Sequence, residues 1–394
     1  MAKILLIHHS GLIGGAGVSF LNTVKSLSLK HEVIVAIPSD PSDMKIMFEE
    51  LSEKYNFKLL VYGRRIGAIT YYSGGDSVLS PRFMYRALLG VRQYRYWNRL
   101  IKEHNPDVVV LNSKILCWMS LVKEIRKRKS ICFVRETIKG KPKNLVNRFI
   151  SSLLDRFSKV VFLSEYDKKR ENLKKAESIV VYNHISKDQF DVSLSKNEAE
   201  KLLGINGEYR FNILYVGGVS EMKGFDLAVQ AVLNMDDDCR LIVAGNDFQS
   251  AKKTKDKRVI QYIDKWKKIV REKDNSGKIC FVGRKLDMSP CYAACDVLVF
   301  PMRDPHQSRP AFEAGLFKKP VVISDFPNIH EFLVDNKNGL WFESDNAQML
   351  ENRLRMLKDD VQLCKQLGEN NYVNTQQKHM SDICRSKILE LIEG

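Results

Sequence analysis

The 394-residue chain is short of several features that would fix its class at once. It has no Cys-x-x-Cys pair, the spacing on which zinc ribbons and thioredoxin-type redox sites are built. Its eight cysteines stand at 117, 132, 239, 280, 291, 295, 364 and 384. Cys291 and Cys295 lie four apart in a predicted helix, but no second pair is near, so ordinary thiols in a reducing compartment are expected. No stretch approaches the ~18 uncharged apolar residues of a membrane span. The start, Met1-Ala2-Lys3 followed by Ile4-Leu5-Leu6-Ile7, meets His8-His9 with no cleavage-type segment. It does not read as a signal peptide, and the chain is expected to fold in the cytoplasm. Repeats of solenoid length and low-complexity tracts are missing as well.

Acidic residues are also scarce, but only locally. The whole chain has 63 Lys+Arg against 47 Asp+Glu, a net charge of +16. Residues 51–150 hold 21 basic residues and 6 acidic ones, whereas residues 201–394 hold 29 and 27. A one-sided basic region implies an anionic partner: membrane, nucleic acid or phosphorylated substrate. No nucleic-acid motif is present, so nucleic acid is not expected.

Short apolar runs alternate with helical patterns. Ile4–Ile7, Glu32–Ile37, Leu59–Tyr62, Val108–Leu111, Ile131–Val134, Val160–Leu163 and Ile179–Tyr182 read as strands, and a helix is expected over about 18–29. After a polar segment at 186–209 the rhythm restarts with Phe211–Val216, Arg240–Ala244, Ile279–Val282, Val297–Phe300 and Pro320–Ile323. This order predicts an α/β chain of two Rossmann-like domains facing across a cleft, with ligands at the carboxyl ends of the strands. The expected domains are 1–200 and 201–376, with a C-terminal helix in 377–394 that packs back on the first domain.

Three motifs carry the chemistry. Gly11-Leu12-Ile13-Gly14-Gly15-Ala16-Gly17 follows the first strand. It departs from the dinucleotide Gly-x-Gly-x-x-Gly spacing, and reads either as a substrate-facing loop through Gly14, Gly15 and Gly17 or as a tight turn. Gly217-Gly218 and Lys223-Gly224 lie between a strand and a helix, where the lysine either reaches a diphosphate as a point charge or is a solvated surface residue. Asp296–Pro301 leads through a polar loop to Ser308-Arg309-Pro310-Ala311-Phe312-Glu313. Ser308 and Pro310 mark a helix start whose amides would cradle phosphate, Arg309 adds charge, and Glu313 suits a ribose diol.

The stretch from about 211 to 345 resembles retaining GT-B glycosyltransferases, specifically glycosyltransferase family 4. The residues carrying the resemblance are Gly217-Gly218…Lys223-Gly224, Phe281-Val282-Gly283, Cys295-Asp296-Val297…Pro301, Glu313-Ala314…Pro320-Val321-Val322 and Asn338-Gly339, in order. Leu163-Ser164-Glu165 and Val181-Tyr182-Asn183 match the first domain more loosely. The resemblance implies a nucleotide-diphosphate sugar as donor substrate, no other cofactor and no metal. It places Lys223 on the diphosphate, Glu313 on the ribose, Gly283-Arg284 at the base, and the amides near Pro310-Ala311 on phosphate. The family's first glutamate is missing, with Pro305 in its place. Asp304, His306 or Gln307 is expected to make the sugar contact instead. Gly218 stands where an arginine is common, and Arg309 or Arg284 is expected to supply that charge.

In the first domain Arg135-Glu136 ends a strand. It reads either as a cleft-edge pair, with Glu136 as acceptor-side base, or as a structural ion pair. Asn112 is an acceptor-pocket candidate, and His8 and His9 either face the cleft or pack. Residues 82–102 hold six basic residues and no acid among Phe83, Tyr85, Tyr94, Tyr96 and Trp97. Arg82, Arg92, Arg95, Arg99 and Lys102 read as one basic face, the last four within a ~80° sector at 100° per residue; this is either the makeup of an interfacial helix on anionic lipid or a solvated helix whose aromatics join the core. Lys139, Lys141, Lys143 and Arg148 add to the basic face. The expected activity is sugar transfer to a lipid-linked or glycan acceptor at the inner membrane surface, in surface polysaccharide or lipopolysaccharide assembly. The competing readings are a non-catalytic GT-B scaffold and a GT-B nucleotide-sugar epimerase.

Overall fold

A computed structural model of the chain describes residues 1–205, 209–252, 254, 256–305 and 308–393. They form two compact units: Met1–His184 joined by the segment from Ser381 onward, and Ile185–Met380.

The first unit holds strands β1 (Lys3–Ile7), β2 (Glu32–Pro38), β3 (Lys58–Tyr62), β4 (Val108–Leu111), β5 (Lys129–Val134), β6 (Lys159–Phe162) and β7 (Glu177–Val180). They form one parallel sheet in the order β3-β2-β1-β4-β5-β6-β7. Leu5 aligns with Ile34 on one side and Val109 on the other. Leu5 and Ile7 join Ile34, Val109 and Trp97 in one core, while Ile4 and Leu6 join Val33, Val108 and Phe20 in another. The central strands, covered on both faces, are buried almost throughout, which is why they read as unbroken apolar runs, while the edge strands β3 and β7 stay partly exposed. The last helix, Ser381–Glu393, seats Ile388, Leu391 and Ile392 in the second core beside Val24 and Leu27 of helix Gly15–Ser28. Each such aliphatic contributes roughly 1.5–3 kcal/mol by burial. Ile388→Asp would put a charge in this core and unseat the helix.

The second unit repeats the plan with β8 (Phe211–Val216), β9 (Cys239–Ala244), β10 (Ile279–Gly283), β11 (Val297–Phe300), β12 (Val321–Ser324) and β13 (Leu340–Phe342). The parallel order is β10-β9-β8-β11-β12-β13. In both sheets the strand order reverses beside the first strand, between β1 and β4 and between β8 and β11. The loops leaving these strands diverge there and open a crevice at the carboxyl ends.

Three details differ from the sequence reading. The first helix begins at Gly15, because backbone bonding extends it into the glycine run. The polar segment 186–209 contains a helix, Lys196–Leu203, opened by a capping box in which Ser195 and Glu198 satisfy each other's amides. Cys295 lies past the end of helix Ser289–Ala294 that holds Cys291. All eight cysteines are free, and Cys280 and Cys364 are half-buried while the rest are buried. No helix among the described residues is long and apolar enough to cross a membrane.

Candidate active site

In the second unit the loops after β8, β9, β10 and β11 converge on close backbone contacts. Gly218 has φ +63, and a Cβ there would lie 2.4 Å from the Asn246 amide nitrogen, just past β9. Gly224 has φ +70, and its Cβ would meet the Pro301 carbonyl, just past β11, at 1.9 Å. The Gly245 N–H donates to the Gly283 carbonyl at 2.9 Å. Only glycine permits both the left-handed backbone and the approach. The loop carrying Lys223 is thereby pressed onto its neighbours. The Lys223 stem runs along Gly217, where a Cβ would sit 2.8 Å from its Cδ. Burial holds the Lys223 ammonium below the usual lysine range. No carboxylate among the described residues pairs with it. A poorly hydrated, unneutralised ammonium is primed for an anion.

Sequence reading passes over the brace behind this lysine. Asp226 opens the helix Phe225–Asn234, and Arg303 follows β11. The two form a bidentate ion pair with N–O distances of 2.8 and 2.6 Å. The Arg303 guanidinium also donates to the Glu221 carbonyl at 2.5 Å and to Asp345. Tyr262 donates to Asp226 at 2.8 Å. Arg303 thus bridges both arms of the loop that presents Lys223. A lone Arg in a polar loop carries no sequence signal; an Asp at the first turn of the facing helix is the one hint available.

Glu313 lies on helix Arg309–Leu316, which follows β11, the strand next to β8. It is buried, and both its oxygens are engaged. Arg309 Nε donates to one at 2.6 Å, and Tyr292 donates to the other at 2.6 Å. Each carboxylate oxygen retains a second lone pair. Ser308 precedes the helix without capping it, and its buried hydroxyl finds no partner among the described residues. Pro310 has no N–H, and the Ala311 N–H donates to the Ser308 carbonyl at 2.9 Å. The tight first turn therefore uses the amide expected to cradle phosphate. Gly283 turns with φ +74 and presents the exposed Arg284. Asp304 is half-buried, while His306 and Gln307 lie outside the described residues.

The first unit gathers different chemistry. Arg135 donates to Asn112 at 2.7 Å and to Asn183 at 3.3 Å. Asn112 then turns its amide N–H toward His8 Nδ1 at 2.8 Å. That contact needs an unprotonated nitrogen, in keeping with the burial that drives the His8 pKa well down. Glu136 accepts from the Ser113 hydroxyl and from the Lys114 amide, 3.1 Å away, so it caps the turn after β4. Burial raises its pKa. Gly14 and Gly15 have open space around them, and Gly17 packs on Met44 within the helix. None of Gly14, Gly15, Gly17, Asn112, Arg135 and Glu136 lines the arginine-walled pocket of this unit. That pocket, of about 520 Å³, is walled by Ser10, Gly11, His9, Thr70, Tyr72 and the arginines 64, 65, 82 and 86, among others. The Arg64-Arg65 pair just beyond a strand end was the available sign of it.

Residues 195–373, which hold all of the second unit's residues described above, match the family model for Glycosyl transferases group 1. Over its full length the chain superposes on Anabaena HepE, solved in complex with UDP-glucose. The TM-score is 0.78 at 18% identity, with all of both chains covered. The fold is GT-B. Among curated proteins, 54% of the chain is 28% identical to an uncharacterised glycosyltransferase of Methanocaldococcus jannaschii, covering 53% of that protein. A further 28% match covers 24% of the chain and 26% of a Campylobacter jejuni enzyme, N,N'-diacetylbacillosaminyl-diphospho-undecaprenol alpha-1,3-N-acetylgalactosaminyltransferase. The chain thus spans about half of the first relative's length and about a quarter of the second's. On the GT-B fold the glycine-braced Lys223 loop belongs to the domain that matches the family.

Proposed function

We propose that the chain is a glycosyltransferase that takes its sugar from a nucleotide-diphosphate donor held on the second domain. The observation that carries this reading is the unneutralised, half-buried Lys223, fixed by glycine contacts within a glycosyltransferase-type domain. As the sugar leaves, negative charge grows on the nucleotide diphosphate. A pre-positioned ammonium stabilises that charge without reorganising, which is transition-state electrostatics rather than covalent catalysis. Lys223, with Arg309 and Arg284 in the same domain, supplies positive charge that requires no metal. Glu313, held still by Arg309 and Tyr292, offers its remaining lone pairs to the ribose diol. Gly217, Gly218 and Gly283 let backbone approach the nucleotide. Asp304, His306 or Gln307 takes the place of the family's first glutamate on the sugar. Transfer proceeds with retention, by front-face attack with no protein nucleophile.

The acceptor is taken by the basic first domain, with Arg135, Glu136, Asn112 and the glycine loop on its side of the reaction. A lipid-linked or glycan acceptor fits, in surface polysaccharide or lipopolysaccharide assembly. The C. jejuni relative's name describes such a lipid diphosphate substrate. The helix Pro81–His104 supports a seat on anionic membrane. Trp97 faces the core, while Met84, Leu88 and Val91 are exposed alongside Arg92, Arg95, Arg99 and Lys102. That is an apolar strip flanked by cations.

Calorimetry with a panel of UDP, GDP and dTDP sugars tests the reading. One nucleotide sugar should bind, Lys223→Ala should weaken it, and excess EDTA should leave transfer unchanged. Absence of binding by every nucleotide sugar would overturn the donor site. Binding without transfer to any lipid or glycan acceptor would favour a scaffold, and conversion of the free nucleotide sugar itself would favour an epimerase.

A further inference from the structure

The arginine pocket of the first domain has a chemistry that neither its sheet nor its core requires. Arg64 and Arg65 follow β3, and Arg82 and Arg86 occupy the first turns of helix Pro81–His104. Two contacts lock these pieces together. The backbones of Gly67 and Gly90 meet so closely that a Cβ on Gly67 would lie 2.2 Å from Gly90. Gln93 clasps the same segment, donating to the Arg65 carbonyl at 2.8 Å and accepting from the Gly67 N–H at 2.8 Å. The four guanidinium-bearing residues are therefore placed by structure before any ligand arrives.

Their charges are only partly met. Asp40 and Asp76 are the pocket's carboxylates, against four arginines. Asp76 is already engaged, accepting from Thr70 at 2.7 Å and facing Arg82 at 3.8 Å. Arg86 is half-buried, and burial followed by the neighbouring Arg82 and Arg65 pulls its pKa down. Arg64, Arg65 and Arg82 are exposed and Arg86 is half-buried, so water screens their mutual repulsion in part, and an anion that joins them is attracted by all four. Two surplus positive charges match a phosphate dianion or a diphosphate, whereas a single carboxylate would be satisfied by one guanidinium fork. The cations are all arginines rather than lysines, which suits the bidentate geometry of phosphoryl oxygens.

We propose that this pocket binds the phosphate or diphosphate of a phosphorylated acceptor. The proposal rests on the first domain being the acceptor side. A lipid diphosphate is the source that the surroundings favour. A second pocket of about 300 Å³ shares Asp40, Arg64, Arg65 and Tyr85 with the first and reaches Leu89. Leu88 and Met84 are exposed on that same helix. An apolar chain attached to the bound diphosphate therefore has a path from the arginines past Tyr85 and Leu89 to an apolar surface.

The test is calorimetric titration of the full chain with inorganic diphosphate in the presence of saturating UDP, which occupies the donor site. Diphosphate should bind, and its affinity should fall about tenfold in Arg86→Gln and in Arg64→Gln. Arg64 is exposed, so the second variant guards against misfolding of the first. Lys223→Ala should leave diphosphate binding intact. Equal affinity in wild type and both arginine variants would overturn the site, as would binding lost only in Lys223→Ala. UDP titrated alone reports the donor reading separately. Farnesyl diphosphate distinguishes the sources. Binding at least tenfold tighter than inorganic diphosphate, with the advantage lost in Leu89→Ser, supports a lipid carrier. Equal binding of both, still lost in the arginine variants, supports a soluble phosphorylated acceptor.

Discussion

The two domains share one architecture and use it in opposite ways. The second builds its site from backbone, with glycines at 218, 224 and 245 letting loops touch and a single ammonium at their meeting point. Its charge is nearly balanced, at 29 basic against 27 acidic residues over 201–394. The first domain builds its pocket from side chains, four arginines in a region with 21 basic and 6 acidic residues. A site that holds a nucleotide diphosphate needs closeness and one well-placed charge. A site that selects an acceptor needs its own pattern of charges. On the proposed assignment, the nucleotide diphosphate is served by backbone geometry and the acceptor by side chains.

The sharpest way to break this contrast is Lys223→Ala. It should lower kcat/KM about 10²–10³-fold, the scale of losing one preorganised charge stabiliser, with the circular dichroism spectrum unchanged. A loss confined to acceptor KM would reverse the roles assigned to the two domains. Next in size comes the basic helix. Changing Arg92, Arg95 and Arg99 together to Glu removes attractions of ~1 kcal/mol each near an anionic surface, so liposome sedimentation should drop about 100-fold. Nucleotide binding should not change. Equal sedimentation of the variant would make this face a solvated one.

A smaller effect tests the brace rather than the charge. Asp226→Asn leaves Arg303 without its bidentate carboxylate, so the loop presenting Lys223 loosens. Donor KM should rise roughly tenfold, with a lowered Tm, because a charged hydrogen-bonded pair contributes about 1.5–3 kcal/mol. An unchanged donor KM with the same fall in Tm would make the pair purely structural.

The sheets were legible because their strands are covered on both faces and so read as apolar runs. β13 was not, since Leu340–Phe342 is too short to show a pattern. Lys223 and Glu313 drew attention through their motifs, but Glu313's engagement with Arg309 and Tyr292 was not legible. Tyr292 lies 21 positions away, and only the packing of two helices brings it near. Gly14, Gly15 and Gly17 drew attention by their density, yet the pocket takes Gly11 from that run. Arg82 looked like a member of a membrane-facing row, and Arg86 like one more basic residue of the same helix. Their pairing with Arg64 and Arg65 depends on the Gly67–Gly90 contact, which no local pattern announces.

The smallest expected effect separates the domains by acid sensitivity. His8 and His9 follow β1, and both are held neutral, chiefly by burial. His9 is pushed further by Arg86 and Arg135, to about 4. Unfolded histidine titrates near ~6.5. Between that value and about 4 the unfolded chain binds more protons than the folded one, so stability falls as pH falls. Above pH ~6.5 the histidines' contribution is fully present. In the second domain Asp236 and Asp238 are held below the carboxylate range by hydrogen bonds from Lys358, so they begin to lose stability only at lower pH, as they protonate. Acidifying from pH 7 to about 4.5 should therefore loosen the first domain before the second. Peptide-resolved hydrogen exchange should place the new opening around β1, β4 and helix Gly15–Ser28. His9→Asn should flatten that dependence by on the order of 1–3 kcal/mol over the window, the lower end reflecting the ring's partial exposure. Simultaneous loosening of both domains, unaltered in the variant, would show that the arginine-rich side is not the acid-sensitive one.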